Sequence, residues 1–513
     1  MSDNKRIAKN TVFLYFRMLF VMGVSIFSSR IVLNVLGESD YGLYNVVGGF
    51  VAMLAFLNGA ASGATSRFLT FYLGKKDYYN YQQSFSAAFY IHVGLAILIV
   101  LLAESVGLWF LHNKMVIDPE RMEAALWVFH LSVLSCFVTF TQVPYNATII
   151  ANEHMGIYAY VGIAEALLKL FVLYMLSVSS FDKLVTYAFL LFLVSIAIAM
   201  FYRLYCICHF KECRIVMVKN KRLYKELLKY SGWDTLGSIT GIAQTQGINV
   251  VLNLFFGTVV NAARGVAYQV DAAVNNFIAN FLTALNPQVV KSYAQKDFRR
   301  MVNLIFFGGK YSFLMFSCLA VPLIIEAPYV LKLWLVSPPD YSVPFLRLVL
   351  LNHFISVTIQ MLIIGVHATG DVRRLNMYAG MISILKLPFA YLILKLGYDA
   401  IWVFVSIIPM TFFCLLADIY VLRCNIQFPS VKYINHVLVK NTFIIFVPTI
   451  MAIYISNMME EGFVRLITLT MCFVLSLTLF VYLFGLTNKE KQIVCQGIYN
   501  LKHKFDKNGI SKN

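Results

Sequence analysis

Arg17, Arg30, Arg67, Arg264 and Lys310 stand within long apolar runs, as do Asp234 and Asp271. An ionisable side chain in that setting costs about 2.5–3.5 kcal/mol on insertion scales and almost always faces a cavity or a partner. Four arginines and a lysine in such runs suit one chemistry above others, the holding of an anion in a low-dielectric lumen. A guanidinium binds two phosphate oxygens at once through its planar fork. Helical rise puts Arg30 and Arg264 at a similar depth towards the outer face, and Arg17 and Arg67 towards the inner face. Arg30 and Arg264 are therefore expected to contact the anion. Arg17 and Arg67 either join them or snorkel to the inner interface, and Lys310 is a further candidate contact. Asp271 follows Arg264 by seven residues, two helical turns, on the same face. Asp271 and Asp234 are the candidates for ion coupling, or for structural counter-ions. Glu165 and Lys169, four apart, read as a buried stabilising pair. His353 and His367 read as satisfied core histidines, and Glu104, Glu326 and Arg347 as interfacial groups.

These residues need elements that cross a bilayer. The chain of 513 residues is 60% hydrophobic and 13% charged, with a mean hydropathy of +0.73. Soluble chains carry roughly 25% charged residues, so too little polar surface is present to cover a water-exposed particle. A hydrocarbon core of about 30 Å takes about twenty apolar residues as helix. On that measure about fourteen spans fall near Thr11–Leu36, Tyr44–Phe68, Phe85–Leu111, Ala124–Ile150, Tyr158–Val178, Leu184–Tyr205, Tyr230–Phe256, Val259–Pro287, Val302–Ile325, Phe345–Val366, Leu375–Leu396, Ile401–Leu422, Val437–Ile455 and Val464–Phe484. The first run is too long, and lacks the small-residue cleavage site, for a removable signal peptide.

The net charge of +17 would suggest nucleic acid in a soluble chain. Here the basic residues sit in short segments between spans, which excludes that partner and sets topology. Lys75, Lys76, Lys211, Arg214, Lys219, Lys221, Arg222, Lys296, Arg299, Arg300, Arg373, Arg374, Lys432 and the tail lysines fall on one side, and Glu38, Asp40, Glu460 and Glu461 on the other. The positive-inside rule then places both termini in the cytoplasm.

An internal repeat divides the spans. Ile31-Val-Leu-Asn34-Val-Leu-Gly37 is followed forty residues on by Lys76-Asp77, and Val250-Val-Leu-Asn253-Leu-Phe-Phe-Gly257 forty residues on by Lys296-Asp297. Ala64 and Ala284 match at the same offset. Both copies begin on the same side, which is a parallel repeat about an axis along the membrane normal, the kind that flanks a central cavity and works by rocking. The expected organisation is an all-α polytopic membrane protein. It has an N-terminal six-helix lobe (1–210), a basic cytoplasmic linker (211–229), a C-terminal six-helix lobe (230–424), a terminal helix pair (425–486) and a basic cytoplasmic tail (487–513). Leu223, Leu227 and Leu228 make the linker a candidate interfacial amphipathic helix. The first two helices of each lobe are the polar ones, the eighth span above all with Asn261, Gln269, Asn275, Asn276 and Asn280.

The nine cysteines are scattered, without zinc or redox spacing. There is no Walker motif, no His-Glu-x-x-His and no Gly-x-Ser-x-Gly. Catalysis, a metal and a cofactor are not expected.

Arg30-x-x-Leu-x-x-Leu-Gly37-x-x-x-Tyr41-Gly42-x-Tyr44 resembles the opening of the polysaccharide exporters, the Wzx-type lipid-linked oligosaccharide flippases of the multidrug/oligosaccharidyl-lipid/polysaccharide (MOP) superfamily. Asn286-Pro287-x-x-x-x-x-Tyr293-Ala294 and Ile150-Ala151-x-Glu153-x-Met155-x-x-Tyr158 are similar to patterns of that superfamily. The likeness spans nearly the whole chain. It implies a multi-pass protein of the bacterial cytoplasmic (inner) membrane. Its task would be to export a polyprenyl-diphosphate-linked oligosaccharide, an O-antigen, capsule or exopolysaccharide unit, by alternating access through a cationic lumen. The implied partners are that substrate, membrane lipids, a coupling cation or proton, and other glycan-assembly membrane proteins. The runner-up is a cation-coupled multidrug exporter of the same fold, whose lumen should favour acidic and aromatic groups. A membrane polymerase or ligase would need a larger outer loop than Glu326–Pro344.

Overall fold

Hydrocarbon offers no water to backbone N–H and C=O groups, so a chain of this composition crosses a bilayer only as helix or closed barrel. The computed structural model is helical throughout, with no strand among the residues it describes, which are 10–25, 28, 31–32, 35–36, 40, 43–44, 47, 56–113, 119–256, 258–335, 338–487 and 490–492. The long helices are α1 (Asn10–Ser25), α2 (Phe56–Gly74), α3 (Tyr78–Asn113), α4 (Pro119–Ala151), α5 (Met155–Val178), α6 (Lys183–His209), α7 (Lys221–Phe256), α8 (Thr258–Ala294), α9 (Phe298–Ile325), α10 (Ser342–Thr369), α11 (Val372–Lys395), α12 (Ala400–Ile426), α13 (Ser430–Met458) and α14 (Phe463–Gly485). A short helix, Ala327–Leu335, joins α9 to α10.

Among the described residues ten helices, α3–α6 and α9–α14, are long and apolar enough to cross a membrane. The other four are the ones the sequence marks as polar. α1 is described over Asn10–Ser25. α2 carries Asn58, Thr65, Ser66 and Arg67. α7 and α8 are continuous over 36 and 37 residues, ample length for a span, but carry Asp234, Gln244, Asn249, Arg264, Asp271 and Asn275. Polarity, not shortness, sets α2, α7 and α8 apart from the ten, whereas α1 is apolar but short over its described residues. The rest show their apolar faces outward, as in α13 and α14, where Phe443 is 73% and Leu475 67% exposed.

The paired Lys-Asp motifs form one turn built twice. Lys76 and Lys296 both take left-handed backbone, with φ of 58° and 61°. Around them Lys76 N donates to Leu73 O and Asp77 N to Tyr72 O, as Lys296 N does to Tyr293 O and Asp297 N to Ser292 O. Asp77 and Asp297 then each cap the next helix, accepting from the backbone N–H of Asn80 and Arg300. Ala64 and Ala284 are both buried. The basic linker behaves differently from expectation. Its second half is no separate interfacial helix but the first turns of α7. Leu223 and Leu227 are buried with Ala64, Phe68, Ala87 and Tyr230, while Leu228 is exposed.

By contacts the chain forms two compact units. One comprises Met1–Thr245, Ala279–Ile305 and Ile363–Ile384, the other Gln246–Ile278, Phe306–Leu362 and Leu385–Asn513. In the first, Leu69, Tyr81, Phe85, Tyr145, Ile149 and Tyr202 pack one core. α2 meets α8 at Gly74, where a Cβ would lie 2.9 Å from the Lys291 Cα, so only glycine permits the approach. In the second, Leu314 and Val321 of α9 pack with Ile444 and Ala452 of α13 and with Leu469 and Phe473 of α14. Glu326 belongs to this joint and not to an interface: it is fully buried and pairs with Arg465 at 2.7 Å.

Candidate cationic translocation site

In the first unit α1 and α5 enclose a cavity of about 390 Å³ lined in part by Arg17, Ser25, Ser28, Tyr44, Glu165 and Lys169. Arg17 reaches it because α5 has Gly162 beside it, where a Cβ would press on the arginine's own Cδ at 2.9 Å. The guanidinium lies 4.5 Å from the Tyr158 ring centroid, a cation–π contact, and its buried Nε has no hydrogen-bond partner. Lys169 donates to Glu165 at 2.6 Å. That pair is not buried as expected, for both side chains are partly exposed. Two cations against one carboxylate leave the cavity one positive charge in excess.

Arg67, on α2, is engaged elsewhere in the same unit. Its Nε donates to the His367 carbonyl at 2.9 Å and Nη2 to that of Ala368 at 3.4 Å. It thereby satisfies the last carbonyls of α10, a favourable place for a cation. Phe68, Phe71 and Tyr230 surround the guanidinium with ring centroids 5.0–5.5 Å away. Gly370 ends α10 at φ +86°, without a side chain to obstruct Arg67. Asp234 of α7 lies 3.5 Å from His367 Nε2. A second cavity, about 450 Å³, opens beside Arg67 among Trp233, Lys229, Glu226, Asp371 and Arg373.

The same unit holds a further buried network. Glu153, in left-handed backbone between α4 and α5, accepts from Gln288 Nε2 at 2.6 Å and pairs with Lys291. Arg300 donates to Gln288 Oε1 at 2.7 Å.

In the second unit α8 carries a polar row. Arg264 is 7% exposed. It reaches Asn249 Oδ1 at 3.4 Å and lies 4.5 Å from the Tyr268 ring centroid. Two turns on, Asp271 Oδ1 is 2.6 Å from His353 Nδ1. Asn275 Oδ1 faces His353 Nε2 at 3.2 Å and accepts from Gln360 at 2.8 Å. Lys310 lies apart, bound by Glu490 at 3.0 Å. Burial alone would raise the Glu490 carboxyl, but the Thr487 backbone N–H and the Lys310 ammonium hold it below its ordinary value.

Of the residues singled out by sequence, the structure thus brings Arg264 and Asp271 into one row, seats Arg17 in a cavity, and gathers Arg67 and Asp234 about His367. Arg30 lies outside the described residues. Sequence reasoning passed over Lys169 and His353 as structural, and did not notice Lys386, a 6% exposed lysine that donates to Thr411 within an apolar span. A lone lysine midway along an apolar run was the available signal. Among the described residues no group of histidine, cysteine and carboxylate side chains is arranged for a metal.

The chain matches no family model, and no curated protein matches it in sequence. Solved structures match its fold. One is an outward-facing multidrug resistance MATE family transporter of the MOP superfamily, at TM-score 0.67 and 14% identity over 82% of this chain and 96% of that one. A MOP superfamily transporter from Pyrococcus furiosus, described as having a binding pocket of reversed polarity, matches at TM-score 0.66 and 14% identity over 82% and 96%. A MATE structure in complex with MaD5 matches at 0.67 and 15% over 84% and 98%. At such identities the likeness establishes the fold alone, an all-helical multi-pass one of the kind seen in these MATE structures.

Proposed function

We propose that this chain is a flippase that carries a polyprenyl-diphosphate-linked oligosaccharide from the inner to the outer leaflet of a bacterial cytoplasmic membrane, and is not an enzyme. The observation that supports this most is the cavity in which Arg17 and Lys169 outnumber Glu165. Two unit charges 4 Å apart attract by about 4 kcal/mol at an effective dielectric of 20, so a diphosphate gains far more there than in water. The sequence patterns shared with polysaccharide exporters point the same way. Arg17 and Lys169 hold the head group within the first unit, with Arg30 a further anion contact, and Arg264 is a separate candidate anion contact within the second. Arg67 and Lys310 reach the anion only by leaving their present partners. Two six-helix lobes, 1–210 and 230–424, rock about it, joined by the basic linker and followed by the terminal pair.

Opening towards the cytoplasm requires contacts near the basic loops to part. Glu153 with Lys291 and Gln288, and Arg67 with the end of α10, are those contacts. The first set buries a charge pair whose release is paid back when it reforms behind the substrate.

Arg17→Gln combined with Lys169→Gln should abolish surface glycan export while the protein still reaches the membrane, as read by glycan staining and immunoblot. Unchanged export would discard this reading. A multidrug exporter is the second reading, favoured by the MATE structures that share the fold. It predicts that deletion broadens drug sensitivity and leaves surface glycan intact.

A further inference from the structure

The corner between α12 and α13 is pinned from inside and basic outside. α12 ends at Ile426, and Gln427 follows in left-handed backbone with φ of 43°. Phe428 and Tyr433, either side of Pro429, are buried and pack on Phe306 of α9 with ring centroids 5.8 and 5.2 Å away. The Tyr433 hydroxyl donates to the Thr358 carbonyl of α10 at 3.0 Å, and Gly309 of α9 leaves room for it. The outer side of this fixed corner is a cavity of about 520 Å³ lined in part by Arg423, Gln427, Ser430, Val431 and Lys432.

Charge in that cavity has one sign. No aspartate or glutamate occurs between Asp418 and Glu460, and Asp418 is buried. Among the described residues no carboxylate pairs with Arg423 or Lys432. Asn441 of α13 donates to the Lys310 carbonyl at 3.4 Å. The carboxylate there, Glu490, is already held by Lys310, Tyr311 and Thr487. Two cations on a pinned backbone, without a counter-ion, suit an anion from outside the chain.

Position says which anion. α12 and α13 are both long and apolar enough to cross a membrane, so the corner joining them lies at a bilayer face. The 29 residues of α13 span about 43 Å, against a hydrocarbon core of about 30 Å, which leaves about two turns among head groups. Beside Lys432, Val431 begins an exposed apolar face that continues through Val439, Phe443 and Phe446 at helical spacing. A phosphate between Arg423 and Lys432 has its acyl chains directly along that face. The exposed Gln427 amide is at hand for head-group hydroxyls. Basic pockets between transmembrane helices take anionic lipid head groups in this way.

We propose that this corner binds an anionic glycerophospholipid, whose phosphate sits between Arg423 and Lys432 and ties α12 to α13. The site does not depend on the transported substrate.

Native mass spectrometry of the full-length protein with added lipid tests it. Dioleoylphosphatidylglycerol should bind in preference to dioleoylphosphatidylcholine. Arg423→Gln/Lys432→Gln should weaken that binding roughly thirtyfold. Lys219→Gln/Lys221→Gln, an equal loss of charge in the linker, should leave it unchanged. Equal binding of the two lipids, or equal weakening in the two variants, overturns the proposal. A second measurement needs no variant. In the wild type, phosphatidylglycerol nanodiscs should slow backbone amide exchange over residues 427–433 relative to phosphatidylcholine nanodiscs. Absence of slowing overturns the site. Equal slowing by inorganic phosphate in phosphatidylcholine nanodiscs overturns the lipid, since the anion would then be free phosphate.

Discussion

At the residue scale the informative groups are those whose charge or polarity exceeds what local sequence can satisfy. Arg17 was legible because an arginine in an apolar run needs a destination, but its destination depended on Gly162 and Tyr158, far along the chain. Spacing of four shows that Glu165 and Lys169 pair; it does not show which face of α5 looks into a cavity. Glu326 was read as interfacial because its partner, Arg465, lies 139 positions away. The role of Gly162 yields a steric test independent of charge. Gly162→Leu should push Arg17 off Tyr158 and reduce export as strongly as Arg17→Gln, with expression unchanged on immunoblot. A second test concerns Asp418 of α12, 1% exposed, with no hydrogen bond on either oxygen. An unsatisfied buried polar group costs about 1–3 kcal/mol, so Asp418→Leu should raise the unfolding temperature in detergent. A lower temperature would mean that this carboxyl has a partner that matters.

Turns and junctions decide more at the element scale than helix interiors do. The Lys-Asp repeat was legible as letters, and its structure explains them. A left-handed residue closes one helix and an aspartate caps the next, at Lys76-Asp77 and again at Lys296-Asp297. The end of the linker was less legible. Leu223, Leu227 and Leu228 read as an interfacial amphipathic helix, but Leu223 and Leu227 are buried against the first unit's core and the helix runs on without a break as α7. The Glu153 turn combines both lessons, since the left-handed residue there also supplies the carboxylate for Lys291 and Gln288. Removing one partner of a buried pair costs about 3–5 kcal/mol. Glu153→Ala should therefore lower thermal stability clearly, and Glu153→Ala/Lys291→Ala should cost less than the two single changes added together. Additive losses, measured by unfolding in detergent, would show that the two side chains do not work as a pair.

For the whole molecule, the count of crossings separates at α7 and α8: length and apolarity together pass ten helices among the described residues, whereas apolar runs in the sequence predict about fourteen spans. α7 and α8 are long enough to cross but carry too many polar residues to pass the apolarity that α3–α6 and α9–α14 meet, as a helix lining a wet, charged path would. Charge bias in the loops cannot settle the matter by itself, because removing both helices from the membrane changes the count by two and leaves every later loop on the same side. A reporter at the C-terminus has the same blind spot. The discriminating position is the junction between the two. Alkaline phosphatase fused after Phe256 should be active, placing that junction outside, whereas fusions after Lys229 and after Ala294 should be inactive. An inactive fusion at Phe256 would take both helices out of the bilayer. The row from Arg264 to His353 would then lie outside the bilayer, and Arg264 could not serve as an anion contact along a path through it.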